Sequence, residues 1–422
     1  MYICFFTENY YKGGIDTFLI NLINSWPSND DVLTLACNGN HAGLRNIETQ
    51  VNRQIIIKKY NYLFTSDLCQ RKDYLTFRFS YFVYGLMVLA HRALQFPFLA
   101  VWYILTLALY FKDGEFDRLM VVNGGYPASI LGRCAIIAWW VAGKKSKPIM
   151  NFHNSASSSP WYSQIFDNFI DRCVIRFSSH IVSVSHNCLE SLNSRPAFKE
   201  CDKLSYIYNG ISDPSIEEDF DSMGFKKPKV QPYFLMLATY EERKGHRYLL
   251  KAFESLGSEF PDTKLKIFGH GQRQEVSRVQ NEVISLGLSE KVTLGPFLSN
   301  INDVLGGAVA LVVPSQSYES FGLTIIEAMS RRVPVITTDV GGMPEVLNKS
   351  GGGYVCSKNN HLEFGFRMGD ILRAAIPTTM LLESETLVIK KSLPKGIQEP
   401  VLSDDEFLVY DALDTKALSI ND

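Results

Sequence analysis

The stretch Glu319-Ser320-Phe321-Gly322-Leu323-Thr324-Ile325-Ile326-Glu327 decides the reading of this chain. The apolar run from Ala308 to Val313, closed by Pro314-Ser315, leads into it and reads as a buried strand. Gly322 to Met329 then holds good helix formers, and Arg331-Arg332-Val333-Pro334 stops the helix. The order is strand, short loop with Glu319, then a helix with Glu327 about two turns in. Unpaired backbone N–H groups at a helix start sit at its positive end and suit an anion. Glu319 hangs just ahead of that pole, and Glu327 can reach back toward the same crevice. An anion flanked by two hydroxyl-binding carboxylates describes a well for a nucleotide sugar.

Working outward, apolar strands alternate with amphipathic helices on both sides of a polar middle. Strands are expected over 2–7, 32–36, 119–122, 149–152 and 180–184 in the first half. In the second half they are expected over 233–237, 265–268, 308–313 and 333–337. Such alternation predicts α/β units with parallel sheets covered on both faces. A length of 422 residues predicts two or three domains, and 46% hydrophobic with 20% charged residues are globular values. The formal net charge of −2 gives no general drive toward nucleic acid, so none is expected as a partner. Eight scattered cysteines, with no Cys-x-x-Cys pair, argue for free thiols and against both a disulfide framework and a structural zinc site. The N-terminus lacks a basic start and a cleavage site, and reads as a first strand.

The boundary falls near Asn209-Gly210-Ile211. The expected organisation is a first domain over 1–210, an exposed linker over 211–231 and a second domain over 232–422. Asp219-Phe220-Asp221 mimics a metal-binding motif, but a charged linker makes chance the better account. Ala93 to Phe111 carries no charge over nineteen residues, near the length of a membrane span. A true span would place a bilayer between the first strand and the rest of its sheet, and Pro97 breaks the run. A helical hairpin or interfacial insertion over 81–111 is therefore expected, with an ordinary buried helix pair as the alternative.

The Glu319 to Glu327 stretch, followed by Pro334-Val335-Ile336-Thr337-Thr338-Asp339-Val340-Gly341-Gly342-Met343-Pro344-Glu345, resembles the retaining glycosyltransferases of family 4. Matching positions run from the N-terminus to about residue 356, and the tail from about 357 diverges. The resemblance implies the GT-B fold: two Rossmann-like, doubly wound parallel-sheet domains facing a cleft. It implies that Glu319 lies by the donor sugar and Glu327 binds the ribose. Gly13-Gly14, after the first strand, matches the family's glycine loop. His153, at the end of the strand over 149–152, matches a histidine that touches the donor sugar; His186, at the next strand end, is a weaker candidate, with helix capping by Ser185 an adequate alternative. Lys244 is the phosphate lysine, with Arg243 beside it. Many members carry an arginine where this chain has Thr239. Gly269 lines the base-binding loop, and the amides around Phe321, Gly322 and Leu323 face the diphosphate. Arg332 stands where the family usually has glycine, so it is expected in a left-handed conformation.

The expected activity is transfer of a sugar, with retention, from a UDP- or GDP-sugar to a saccharide or lipid-linked saccharide. That points to surface polysaccharide assembly (capsule, exopolysaccharide or lipopolysaccharide). No metal or other cofactor is expected, because cations and helix poles neutralise the diphosphate. The apolar insertion points to peripheral contact with the inner face of the cell membrane from a cytoplasmic protein. Two other classes remain open: a non-catalytic, membrane-associated partner of another transferase, and a GT-B nucleotide-sugar epimerase.

Overall fold

The computed structural model describes residues 1–9, 13–62, 82–83, 85–87, 98–127, 130–159, 161, 163–211, 231–257, 259–298 and 300–375. The chain divides into two compact units between Gly210 and Ile211. The linker residues 212–230, with Asp219-Phe220-Asp221, and the tail beyond Ala375 lie outside the described residues, as do 81, 84 and 88–97 of the insertion.

The first unit is built on seven strands: β1 (Tyr2–Thr7), β2 (Val32–Asn38), β3 (Ile56–Tyr60), β4 (Arg118–Asn123), β5 (Ile149–Phe152), β6 (His180–Ser183) and β7 (Leu204–Tyr206). Their order is β3-β2-β1-β4-β5-β6-β7, and every pair is parallel. The second unit holds β8 (Tyr233–Leu237), β9 (Lys264–Phe268), β10 (Val292–Gly295), β11 (Ala310–Val313), β12 (Val335–Thr338) and β13 (Gly353–Cys356). Its order is β10-β9-β8-β11-β12-β13, again all parallel. Both sheets reverse their winding once, between β1 and β4 and between β8 and β11. Such switch points open a crevice at the strand carboxyl ends, where ligands of doubly wound sheets bind.

The central strands form because their apolar runs bury both faces; β11, for example, is buried at all four positions. Each unit has its own core. Phe5, Leu19, Leu35 and Val122 anchor the first, and Phe234, Leu249, Ile267 and Val312 anchor the second. The first unit also buries an ionic knot. Arg133 pairs with Asp167 at 2.7 Å, Arg195 pairs with Asp171 at 2.7 Å, and Tyr126 donates to Asp171 at 2.7 Å. Removing one member would strand a buried charge, at a cost of roughly 3–5 kcal/mol.

The helix Ala100–Asp113 buries Ala100, Tyr103, Leu107 and Phe111, but leaves Val101, Trp102, Leu105 and Leu109 exposed. Its 14 residues span about 21 Å, short of the ~30 Å hydrocarbon core. Among the described residues, no helix is long and apolar enough to cross a membrane. The stretch from about 357, expected to diverge, carries a helix that joins the second core. The helix His361–Ala375 places Phe364, Met368 and Leu372 in the second core. Gly365 lets it close on the helix His246–Glu254, since a Cβ there would meet Ala252 O at 2.7 Å.

Candidate donor site

The second unit's switch point lies between β8 and β11, and the loops that leave these two strands carry most of the expected residues. After β8, a short turn over Glu242–Lys244 ends at Gly245, whose φ is +81°. A Cβ on Gly245 would stand 1.9 Å from Pro314 O, so only glycine lets this turn press against the end of β11. Gln316 N donates to Arg243 O at 2.7 Å and closes the same contact. Lys244 Nζ consequently reaches the Glu319 carboxylate, and the two form a short ion pair.

Glu319 is held from the other side as well. Gly342 N donates to Glu319 O at 2.8 Å, and a Cβ on Gly341 would lie 2.0 Å from that same oxygen. The double glycine of the sequence motif thus serves as the bed on which the Glu319 backbone lies. Phe321 is buried and anchors the loop, and Gly322, at φ +83°, turns the chain into the helix. That helix starts at Leu323, not at Gly322, and has 7 residues. Glu327 is therefore little more than one turn in, not two. Burial pushes its carboxyl above the usual range, with Arg331 opposing. Among the described residues no hydrogen bond or ion pair reaches that carboxylate. The helix closes with Val333 N donating to Ala328 O at 3.0 Å and Arg332 at φ +58°. Arg332 thus adopts the left-handed conformation expected of it.

Arg243 is not a free cation. Its Nε donates to Glu241 Oε2 at 2.6 Å, and its guanidinium lies 4.6 Å from the centre of the Tyr318 ring. Thr239, at the position of the usual arginine, donates to Glu241 Oε1 at 2.7 Å. Sequence reasoning missed Glu241 and Tyr318. The signal was present, since a carboxylate two residues from Arg243 and an aromatic next to Glu319 both flank recognised positions. Gly269 ends β9 against β8, because a Cβ there would sit 1.7 Å from Ala238 O.

The first unit presents a different set. Gly13 and Gly14 open the helix Gly14–Asn24 at the switch point beside β1 and are exposed. Asp16 holds this loop: its carboxylate accepts from Gly13 N at 3.0 Å, from Asn9 Nδ2 at 3.0 Å and from His41 Nε2 at 2.8 Å. Asp16 and His41 were also missed, because residues 25 apart give no local signal. His153 follows β5 and packs against Phe18, with ring centres 4.2 Å apart and the rings tilted by 56°. Burial pushes its imidazole down to about 3, so it is neutral near pH 7. Its Nε2 is buried without a partner among the described residues. At the next strand end Ser185 caps a short helix, accepting from Cys188 N at 3.1 Å, and His186 is half exposed beside Glu190.

Two Rossmann-like, doubly wound parallel sheets define an α/β protein of the GT-B fold class. Residues 217–375, in the second unit, match the family model of glycosyl transferases group 1. The chain is 25% identical over 291 residues to the N-acetyl-alpha-D-glucosaminyl L-malate synthase of Bacillus anthracis, covering 66% of this chain and 72% of that protein. It is 28% identical over 192 residues to the O-antigen chain mannosyltransferase RfbU of Salmonella typhimurium, covering 43% of this chain and 50% of that one. It thus spans half the length of that relative. HepE of Anabaena, solved in complex with UDP-glucose, shares the fold with a TM-score of 0.61 at 17% identity, over 90% of each chain.

Proposed function

We propose that the protein is a retaining glycosyltransferase of family 4. It would move a sugar from a nucleotide diphosphate donor to a hydroxyl of a saccharide or lipid-linked saccharide. The observation that carries this reading is the meeting of Lys244, Arg243 and Glu319 at the β8–β11 switch point, with the Glu327 carboxylate, which has no partner among the described residues, on the helix that follows.

Transfer leaves negative charge on the departing diphosphate, and placed cations stabilise it most where water is excluded. Lys244 is the first such cation. When the diphosphate takes Lys244, Glu319 is released to orient the sugar and to support charge at its anomeric carbon. Glu327 accepts the ribose hydroxyls, which supply the hydrogen bonds its carboxylate lacks. His153, neutral and with Nε2 unpartnered, suits a sugar hydroxyl better than a phosphate. Retention normally invites a covalent intermediate. Glu319 is assigned no nucleophile role, and front-face attack by the acceptor hydroxyl fits the residues present. The cations supply the neutralisation that a metal gives elsewhere, so the reaction is assigned none.

The O-antigen role in the name of RfbU supports surface polysaccharide assembly, and HepE supports a UDP-sugar donor. The exposed Val101, Trp102, Leu105 and Leu109 support peripheral contact with the inner face of the cell membrane, and with it a lipid-linked acceptor.

Thermal unfolding with UDP, GDP and their common sugar conjugates tests the donor site, since a ligand of the native state raises the midpoint. One nucleotide family is expected to stabilise the wild type and to lose its effect in Glu327→Ala. No response to either nucleotide would sink the reading. Flotation with anionic liposomes, lost in Trp102→Ser/Leu105→Ser, tests the membrane contact; a protein that stays in the bulk phase removes the case for a lipid acceptor.

A further inference from the structure

Both cations of the donor site are already paired with carboxylates. Lys244 is bound to Glu319, and Arg243 is bound to Glu241 through Nε at 2.6 Å and Nη2 at 3.3 Å. An incoming diphosphate therefore meets two ion pairs, not two open positive charges. It gains from the cations only by displacing their carboxylates. Glu319 has a destination after displacement, the donor sugar. Glu241 has none in the mechanism above, which makes its place the informative one.

Glu241 is held with care. Thr239 Oγ1 fixes Oε1 at 2.7 Å, while Arg243 grips the carboxylate from the other side. Burial works against the charge on Glu241, yet the hydrogen bonds from Arg243 and Thr239 keep its carboxyl below the usual range. Arg243 in turn rests on the Tyr318 ring at 4.6 Å and lies within electrostatic reach of Glu319. Its backbone is tied to Gln316 N at 2.7 Å. A cation set this firmly beside Glu319, with its charge covered by a carboxylate, is built for exchange.

We propose that Glu241 is a resident counter-ion: it occupies the place of a donor phosphate on Arg243 and sets donor affinity by being displaced. This rests on the donor-site reading above. A residue that merely positioned Arg243 would have the opposite sign, since loosening the arginine would weaken nucleotide binding.

The test is calorimetric binding of UDP and GDP to the full chain, with the nucleotide-free unfolding midpoint measured as a check on folding. Glu241→Gln keeps the size and one acceptor oxygen but removes the charge. It is expected to tighten binding of the responsive nucleotide roughly three- to tenfold. Arg243→Ala is expected to weaken it about tenfold or more, and Glu241→Gln placed on that background is expected to change it by less than about twofold. Thr239→Val, which removes one restraint on Glu241, is expected to act in the same direction as Glu241→Gln and by less. Weaker binding in Glu241→Gln, or the same gain with Arg243 absent, overturns the proposal. Wild type that binds neither nucleotide overturns the donor-site reading itself, so the two failures are distinct.

Discussion

The two units share one topology and differ in how they equip the strand ends. In the second, the β8–β11 switch point carries two ion pairs and a carboxylate with no partner among the described residues. In the first, the β1–β4 switch point carries bare glycines, held from beneath by a buried Asp16–His41 pair, and a neutral histidine stands one strand further along. A doubly wound sheet therefore supplies a crevice and no chemistry of its own. Under the proposed function, the ion pairs of the second unit suit a diphosphate and the neutral His153 of the first suits an uncharged hydroxyl.

The strongest way to break this comparison is to remove one side chain from each unit. Lys244→Ala is expected to cut turnover of the donor by roughly 10²–10³-fold, the usual loss for a group that meets developing charge. It should also weaken nucleotide binding. His153→Ala is expected to leave nucleotide binding within about twofold and to lose activity alone, because a hydroxyl contact carries no phosphate charge. Equal loss of nucleotide affinity in both variants would erase the distinction.

The second test asks whether the units differ in acid. Each holds a buried histidine kept neutral by its burial: His153 is pushed down to about 3 and His246 to about 4. In the unfolded chain both take up a proton near pH 6.5. Below that pH the unfolded state binds more protons than the folded one, so stability falls as the pH falls. Urea unfolding should show a loss of up to about 2 kcal/mol per histidine between pH 6.5 and 5. His246→Phe, which keeps a ring against Tyr240, should remove one share of that slope. An unchanged slope would show that His246 titrates alike in the folded and unfolded states.

The smallest effect sharpens the second unit alone. Arg332 is exposed and holds φ at +58°. A left-handed L-residue costs roughly 1 kcal/mol that glycine does not. Arg332→Gly should therefore raise the thermal midpoint by a few degrees and leave nucleotide affinity unchanged.

The strands that were legible in sequence are the inner ones. The four that were not, β3, β7, β10 and β13, are the four sheet edges. Their sequences, Ile-Ile-Lys-Lys-Tyr, Leu-Ser-Tyr, Val-Thr-Leu-Gly and Gly-Tyr-Val-Cys, are short or mixed. An edge strand is paired on one side and partly wet, so it needs no continuous apolar run. The site divides in the same way. Glu319 and Glu327 stand out in sequence because they share one strand–loop–helix unit, while Lys244 and the double glycine follow other strands of the same sheet, and folding brings them onto Glu319. Glu241 on Arg243, and His41 on Asp16, were not legible.

The sequence alone therefore determined the alternation of strand and helix, the inner strands of both sheets, and the loop-to-helix turn between Glu319 and Glu327. Those follow from burial and from backbone demands that act over a few residues. Only the tertiary structure decided which carboxylate neutralises which cation. It also decided that Gly341 bears the Glu319 backbone and that His153 is buried and neutral. Those depend on contacts between segments distant in the chain, and no local pattern encodes a charge partner that arrives by folding.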